Sequence, residues 1–375
     1  MTAITAAPAF SKTLTSNPVP AQRRDEIRAN PGFGTYFTDH MVTATWTPDR
    51  GWHDAGLRPY EPFRMDPASA VIHYGQSIFE GLKAYRHADG SVWTFRPAAN
   101  GARFQRSAAR MALPDLPVES FVEAIDLLVR TDAQWVPDGA EASLYIRPFM
   151  FASEVFLGVR PAKNVTFCVI ASPAGAYFES GVKPVDIWLS SEYTRAAPGG
   201  TGAAKCAGNY AASLIAQQEA IAHGCEQVCF LDAVERTWVE ELGGMNLYFV
   251  HADGHIVTPE LTGTILEGVT RDTIIDLATD LGHKVEERRV SIDEWRDGVA
   301  AGAITEVFAC GTAAVVTPVG RLVWDGGEIV HGRTDSSDGS GNPEPGPVTS
   351  SILTALLDIQ HGRTEDTHGW LRRVS

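Results

Sequence analysis

The sequence predicts a two-domain protein of mixed α/β composition (α+β type), and three observations carry that expectation. At 375 residues the chain is too long for one small core. Hydrophobic residues at 44% and charged residues at 21% give the balance of a folded globular chain. Short β-branched and aromatic runs alternate along it with segments of helical spacing.

In chain order, residues 1–30 are rich in Ala, Thr, Ser and Pro without periodicity and read as a mobile N-terminal arm. A first domain is expected over 31–176. TYFTDHMVTATW and SVWTF have strand composition, PVESFVEAIDLLVRTDAQWV has helical spacing at Phe121, Ile125, Leu128 and Val129, and SLYIRPFMFAS and NVTFCVIAS read as strands buried on both faces. The Gly/Pro-punctuated stretch around 177–190 is the expected interdomain connection. A second domain over 191–375 follows the strand VDIWLSS, with a helix at 208–222, strands QVCFLD and NLYFV, a helix at 270–281 stopped by Gly282, and the strand ITEVFACG. Residues 331–347 read as a polar loop before a last helix, VTSSILTALLDIQHG.

Composition also excludes partners. With 31 Lys and Arg against 46 Asp and Glu the formal charge is −15, which disfavours nucleic acid and anionic membrane. No uncharged apolar run reaches membrane-spanning or signal-peptide length, so a cytoplasmic protein acting on small molecules is expected. The five cysteines are odd in number and include no CxxC pair, which argues for buried thiols over a disulfide framework or a zinc site.

Three clusters carry chemistry. In GGTGAAKCAGNYAAS, Lys205 is the only charged residue between Thr201 and Ala216. The spacing fits neither a phosphate loop, whose lysine follows glycine and precedes Ser or Thr, nor a dinucleotide fingerprint. A lysine among small side chains leaves room for a planar group bonded to its nitrogen, and a desolvated amine is a nucleophile toward an aldehyde. In TWVEELGGMNLYFV, Glu240 and Glu241 lie between apolar segments, so alternation turns one of them inward. An inward carboxylate needs a cation, such as a protonated pyridine nitrogen; the bland alternative is a solvated edge-strand glutamate. In TGTILEGVTRDTIIDLATDLG, Gly268 precedes a helix whose first N–H groups, at Val269 and Thr270, can face a phosphate, unless Thr270 is a plain cap.

Together with HYGQSIFEGLKAYR, FRPAANGARFQRSAARMALP, PAGAYF and EVFACGTAAVVTPV, these segments resemble the branched-chain amino acid aminotransferases, fold type IV enzymes that use pyridoxal 5′-phosphate. The match runs in family order from FGTYFTDHMV to DIQHGRTEDTHGWLRRV, nearly the whole chain. The resemblance implies a smaller N-terminal α/β domain and a larger C-terminal pseudo-barrel domain. It implies reversible amino transfer between leucine, isoleucine or valine and 2-oxoglutarate through a Schiff base on Lys205. Tyr210 would bond the cofactor O3′ and Glu241, rather than Glu240, the ring nitrogen. Arg103, Val269, Thr270 and Thr312 would hold the phosphate, with Arg195 a further cation nearby. Without the resemblance, Arg103 reads as a helix-surface residue beside Arg106 and Arg110. Tyr74, Phe79 and Tyr145 match the substrate wall, Ala313 a carboxylate-binding turn, and Arg147 the position associated with glutamate. Leu157 and Val159 match residues given by a partner subunit, implying a homodimer. Two departures stand out: Ala314 and Thr317 replace a redox CxxC of some animal members, and Gly244 replaces a hydroxyl residue of others. Rival readings are a D-amino acid transaminase or aminodeoxychorismate lyase, a cofactor-free lysine Schiff-base lyase, and a phosphate-ligand binding module.

Overall fold

The computed structural model describes residues 8–139, 141–175, 183–331 and 345–375. By packing, the chain divides into two compact units. The first is Met1–Glu179 with Ala204–Ala207 and Asp358–Ser375; the second is Ser180–Ala203 with Gly208–Leu357. A boundary at 177–190 would have put Lys205 and the carboxy-terminal tail in the second domain, yet both pack with the first unit. Of that expected connection, residues 177–182 lie outside the described residues, as does most of the expected polar loop at 331–347.

In the first unit, β1 (Ser11–Lys12), α1 (Ala21–Ala29), β2 (His40–Thr47), β3 (Gly51–Pro59) and α2 (Ala70–Tyr74) lead into β4 (Ser77–Phe79), β5 (Leu82–Arg86) and β6 (Val92–Phe95). Helices α3 (Pro97–Arg110) and α4 (Val118–Thr131) and strands β7 (Ser143–Ala152) and β8 (Val165–Ala174) follow. Among the described residues these form one mixed sheet, ordered β1-β3-β2-β8-β7-β5-β6 and closed by Leu371–Arg373, with β4 paired to β7. The core lies between sheet and helices: Phe121, Ile125, Leu128 and Val129 of α4 are fully buried, as the helical spacing requires. Asp132 ends α4 by accepting the His40 backbone N–H at 3.0 Å.

The expected mobile arm is corrected from Ser11 onward. β1 pairs parallel with β3, the Val19 N–H donates to Asp39 Oδ1 at 2.7 Å, and α1 buries Ile27. Its polar composition hides the single buried anchor of this short helix, Ile27.

The second unit holds β9 (Val185–Ser190), α5 (Ala207–Ala222, from Gly208), β10 (Gln227–Leu231), β11 (Val239–Leu242), β12 (Asn246–His251) and β13 (Ile256–Thr258). Then come α6 (Val269–Asp280), β14 (Val285–Glu287), α7 (Ile292–Ala300), β15 (Ile304–Gly311), β16 (Val315–Trp324), β17 (Gly327–Val330) and α8 (Pro347–Gln360). Its described strands form a second mixed sheet, ordered β11-β10-β9-β16-β15-β12-β13-β14, with β17 on β16. Parallel β9–β10 and β9–β16 pairs beside antiparallel β12–β15 and β15–β16 pairs bear out the α+β expectation. All five cysteines are buried. No helix among the described residues is long and apolar enough to cross a membrane.

Glu306 of β15 is 8% exposed and caps α8, accepting the Val348 N–H at 3.1 Å, the Thr349 N–H at 2.8 Å and the Thr349 hydroxyl at 2.7 Å. Glu306→Ala leaves these donors stranded, at a cost of about 1–3 kcal/mol. Thermal unfolding followed by circular dichroism should show a fall of roughly 2–4 °C per kcal/mol. Glu306→Gln, which keeps one acceptor, should fall less.

Candidate active site

Helix α3 positions the candidate residues of the first unit. Its period places Asn100, Arg103 and Ser107 one turn apart on the buried face, between Phe104 and Ala108. This overturns a surface position for Arg103, which is 3% exposed. Its Nε donates to Glu80 Oε1 at 2.7 Å and its Nη2 to Glu80 Oε2 at 2.8 Å, while Asn100 Nδ2 reaches Oε2 at 2.8 Å. Glu80 is fully buried. Burial pushes its pKa up, but the Arg103 charge and hydrogen bonds, then the Lys205 charge and Asn100, outweigh this and leave it below the usual carboxylate value.

One turn beyond Arg103, Ser107 Oγ accepts the Lys205 backbone N–H at 2.9 Å. On the other side of the Lys205 segment, the Phe79 N–H donates to the Lys205 carbonyl at 3.0 Å and Ile78 bridges Cys206. The lysine backbone is thus clamped between α3 and β4. Its side chain is half-buried, with Nζ 5.0 Å from the Phe79 ring centroid. Glu80, absent from the sequence-derived candidates, carries the negative charge facing this amine. A lone carboxylate inside the apolar run SIFEGL was the signal available.

Register brings the expected substrate wall together. β4 lies on β7 with Phe79 opposite Phe149, so Phe79, Tyr145 and Arg147 share one face. The Arg147 guanidinium lies 4.9 Å from the Phe79 centroid and 5.3 Å from that of Tyr145, and its Nη2 donates to the Tyr145 hydroxyl at 3.0 Å. Its Nε is buried without a hydrogen-bond partner among the described residues. Tyr74 stands apart, exposed, donating to the Leu157 carbonyl; Leu157 and Val159 are 70% and 86% exposed.

In the second unit both glutamates of β11 are buried, so alternation separates their partners rather than their exposure. Glu241 Oε1 pairs with Arg195 Nη1 at 2.8 Å and accepts the Leu266 N–H at 2.7 Å. Arg195 also reaches the Thr264 carbonyl at 3.1 Å. Glu240 accepts from the Thr264 hydroxyl, and burial holds its pKa above the usual value against that hydrogen bond and the Arg195 charge. Glu240 is therefore no solvated edge residue. Gly202 is required here, because a Cβ would meet the Thr264 backbone.

Helix α6 starts at Val269 with Gly268 as its N-cap and no side-chain cap. Thr270 is thus not the cap, and the first-turn N–H groups point where an anion can meet them. Asn246 fixes this end, with Nδ2 donating to the Leu266 carbonyl at 3.1 Å and Oδ1 standing where a Gly268 side chain would begin. Thr312 and Ala313 form the turn between β15 and β16, whose Gly311 and Val315 pair. Tyr210 is half-buried on α5, within 3.7 Å of a Cβ added at Gly244, so a larger residue would fit there.

The sequence matches the amino-transferase class IV family over residues 77–322. The chain belongs to this family. It is 58% identical over 369 residues to a probable branched-chain-amino-acid aminotransferase of Streptomyces coelicolor, covering 98% of this chain and 99% of that one. It is 53% identical to a branched-chain-amino-acid aminotransferase of Mycobacterium tuberculosis, covering 97% and 98%. Among solved structures, the Escherichia coli branched-chain amino acid aminotransferase superposes with a TM-score of 0.71 at 32% identity, covering 89% of this chain and all of that one. A T.th. branched-chain amino acid aminotransferase with pyridoxamine 5′-phosphate gives 0.72 at 33% identity, covering 89% and 99%.

In this class IV aminotransferase the Glu80–Arg103 pair can be tested directly. Glu80→Gln leaves a buried guanidinium without its counter-charge, which costs about 3–5 kcal/mol near neutral pH. Because the folded-state pKa of Glu80 is depressed, its contribution is complete above the unfolded value of about 4.3 and is lost as pH falls through the lower folded value. Urea unfolding of both proteins should show a stability gap that is wide at neutral pH and narrows as the medium becomes acid. A gap independent of pH would mean that the carboxylate charge is not what Arg103 requires.

Proposed function

We propose that this chain is a pyridoxal-phosphate-dependent transaminase exchanging amino groups between leucine, isoleucine or valine and 2-oxoglutarate. The observation that carries the reading is the Phe79 ring, with the Lys205 amine at 5.0 Å and the Arg147 guanidinium at 4.9 Å. An apolar surface that suits an aliphatic side chain thereby lies beside a cation able to receive the glutamate γ-carboxylate.

The residues present fit the cofactor. The uncapped start of α6 is suited to a phosphate, and the orphaned Nε of Arg195 beside the buried Glu241 marks a polar lining that packing alone leaves incomplete. In the proposed arrangement Val269 and Thr270 N–H groups, Thr312 and Arg103 hold the phosphate, Tyr210 the O3′ and Glu241 the ring nitrogen, with Arg195 positioning Glu241. Pyridoxal phosphate, when bound, supplies the electron sink that lets a substrate Cα proton leave. Lys205 Nζ would hold the cofactor through its carbonyl carbon, and its amine would serve as the base that takes up and returns the substrate Cα proton. Phe79 and Tyr145 shape the apolar wall, from which Tyr74 stands apart, and the Ala313 turn receives the α-carboxylate. Exposed Leu157 and Val159, with Ile72 and Val155 at 58% each, make an apolar patch of the kind a second copy covers, which supports a homodimer. A cytoplasmic setting accords with the five buried thiols.

An amino-donor panel with 2-oxoglutarate tests the reading. Leucine, isoleucine and valine should exceed alanine by tenfold or more, and a preference for D-alanine or the absence of transamination would refute it. Within the same reaction, Arg147→Met should lower kcat/KM of the glutamate half-reaction roughly ten- to a hundredfold, the worth of one charge-assisted hydrogen bond. The leucine half-reaction should fall much less in stopped-flow, and equal losses would make Arg147 a brace of the pocket.

A further inference from the structure

Helix α5 carries its large apolar side chains on its outer face. The residues it buries are small or polar: Asn209, Ser213, Ala216 and Ala220. Asn209 Nδ2 donates to the Thr201 carbonyl at 2.8 Å and the Ser213 hydroxyl to the Tyr210 carbonyl at 2.8 Å, so hydrogen bonds tie the inner face. Leu214, Ile215 and Ile221 point outward instead and are 65%, 46% and 66% exposed. Ala207, Ala211, Gln218 and Ala222 fill the same outer face and are exposed as well. At about 100° per residue these positions centre opposite the buried ones, and the 16 residues of the helix extend the strip over about 24 Å. A soluble helix turns such a strip to a core, and one left open marks a contact surface.

Charge and shape select the occupant. No charged residue lies between Lys205 and Glu219, on a chain of formal charge −15. Two copies of so acidic a chain repel each other over most of their surface, and a charge-free strip is where they can meet. The same net charge disfavours an anionic membrane. Along the helix the strip is graded: Ala207, Gly208, Ala211 and Ala212 make its first half narrow, while Leu214, Ile215, Gln218 and Ile221 make its second half bulky. An antiparallel copy sets the bulky half against the narrow one, with Leu214 and Ile215 at the axis, Ala211 opposite Gln218 and Gly208 opposite Ile221. This is the self-complementarity that a two-fold contact requires.

We propose that α5 is a contact between two copies of this chain, packed antiparallel against its own counterpart across a two-fold axis at Leu214 and Ile215. The helix that follows Lys205 and carries Tyr210 is thereby held from outside by the second copy. The inference uses neither the proposed reaction nor the exposed patch around Leu157, which belongs to the other unit.

Sedimentation velocity of the full-length holoenzyme tests the contact. Leu214→Glu brings two carboxylates together at the axis, and because Leu214 is exposed in the single chain the substitution leaves the fold intact. The association constant should fall tenfold or more with an unchanged circular dichroism spectrum. Cysteines test the geometry separately: on oxidation the double variant Ala211→Cys/Gln218→Cys should form a disulfide between chains, and neither single variant should. The five native thiols are buried and stay out of this reaction. A wild type that is monomeric at micromolar concentration, or a double variant that forms no disulfide between chains, would overturn the proposal. Association of Leu214→Glu as tight as that of the wild type would overturn it too, while leaving a homodimer joined through the Leu157 patch standing. A disulfide between chains in Ala211→Cys alone would refute the antiparallel register.

Discussion

Buried carboxylate–guanidinium pairing is the constraint around which the candidate residues of each unit are arranged. Glu80 and Arg103 are almost wholly withdrawn from solvent, as are Glu241 and Arg195. Neither charge of such a pair is stable inside the protein alone, so each pair fixes two elements against each other. Glu80–Arg103 binds α3 to the turn between β4 and β5, and once α3 is fixed, Ser107 one turn on holds the Lys205 backbone. Arg195–Glu241 binds the loop before Lys205 to β11 and, through the Thr264 carbonyl and Leu266 N–H, to the strand-to-helix segment that ends at α6. The backbone positions of Lys205 and Glu241 are therefore fixed by these ion pairs and the hydrogen bonds beside them.

Legibility in the sequence followed the sharpness of the pattern. Lys205 stood out because glycine and alanine leave a long side chain conspicuous, and α4 because four apolar residues keep helical spacing without interruption. Arg103 was obscured by the same chemistry that makes it useful. A buried helix face bearing Asn100, Arg103 and Ser107 breaks the apolar stripe, so its hydrophobic period reads as a weak surface helix. Glu80 went unnoticed because its partner lies 23 residues away, a distance over which sequence spacing says nothing. Glu240 and Glu241 defeated simple alternation because β11 is covered on both faces, where inside and outside cease to differ. In the arm, tertiary anchoring by Asp39 and β3 overrode a composition that reads as unstructured.

In the proposed reading, dual recognition of leucine and glutamate would rest on the same economy of elements. A cation whose planar face lies on Phe79 and Tyr145 presents apolar surface and charge from one side chain, since a guanidinium stacks on rings while its edge donates hydrogen bonds. In the proposed reading an aliphatic substrate side chain would meet the rings and a carboxylate the guanidinium edge. Tyr145 is tied to Arg147 by its hydroxyl, so the ring cannot swing away when the substrate changes.

The account's central claim is that the two adjacent buried glutamates differ in role, with Glu241 and not Glu240 proposed to serve the reaction. Single-turnover rates with leucine, measured on Glu241→Gln and Glu240→Gln after cofactor content has been equalised, test it most directly. The account predicts a loss of about a hundredfold or more in Glu241→Gln, where the charge that would keep a ring nitrogen protonated is removed, and only a few-fold change in Glu240→Gln. A severe loss in Glu240→Gln with Glu241→Gln near the wild-type rate would contradict it.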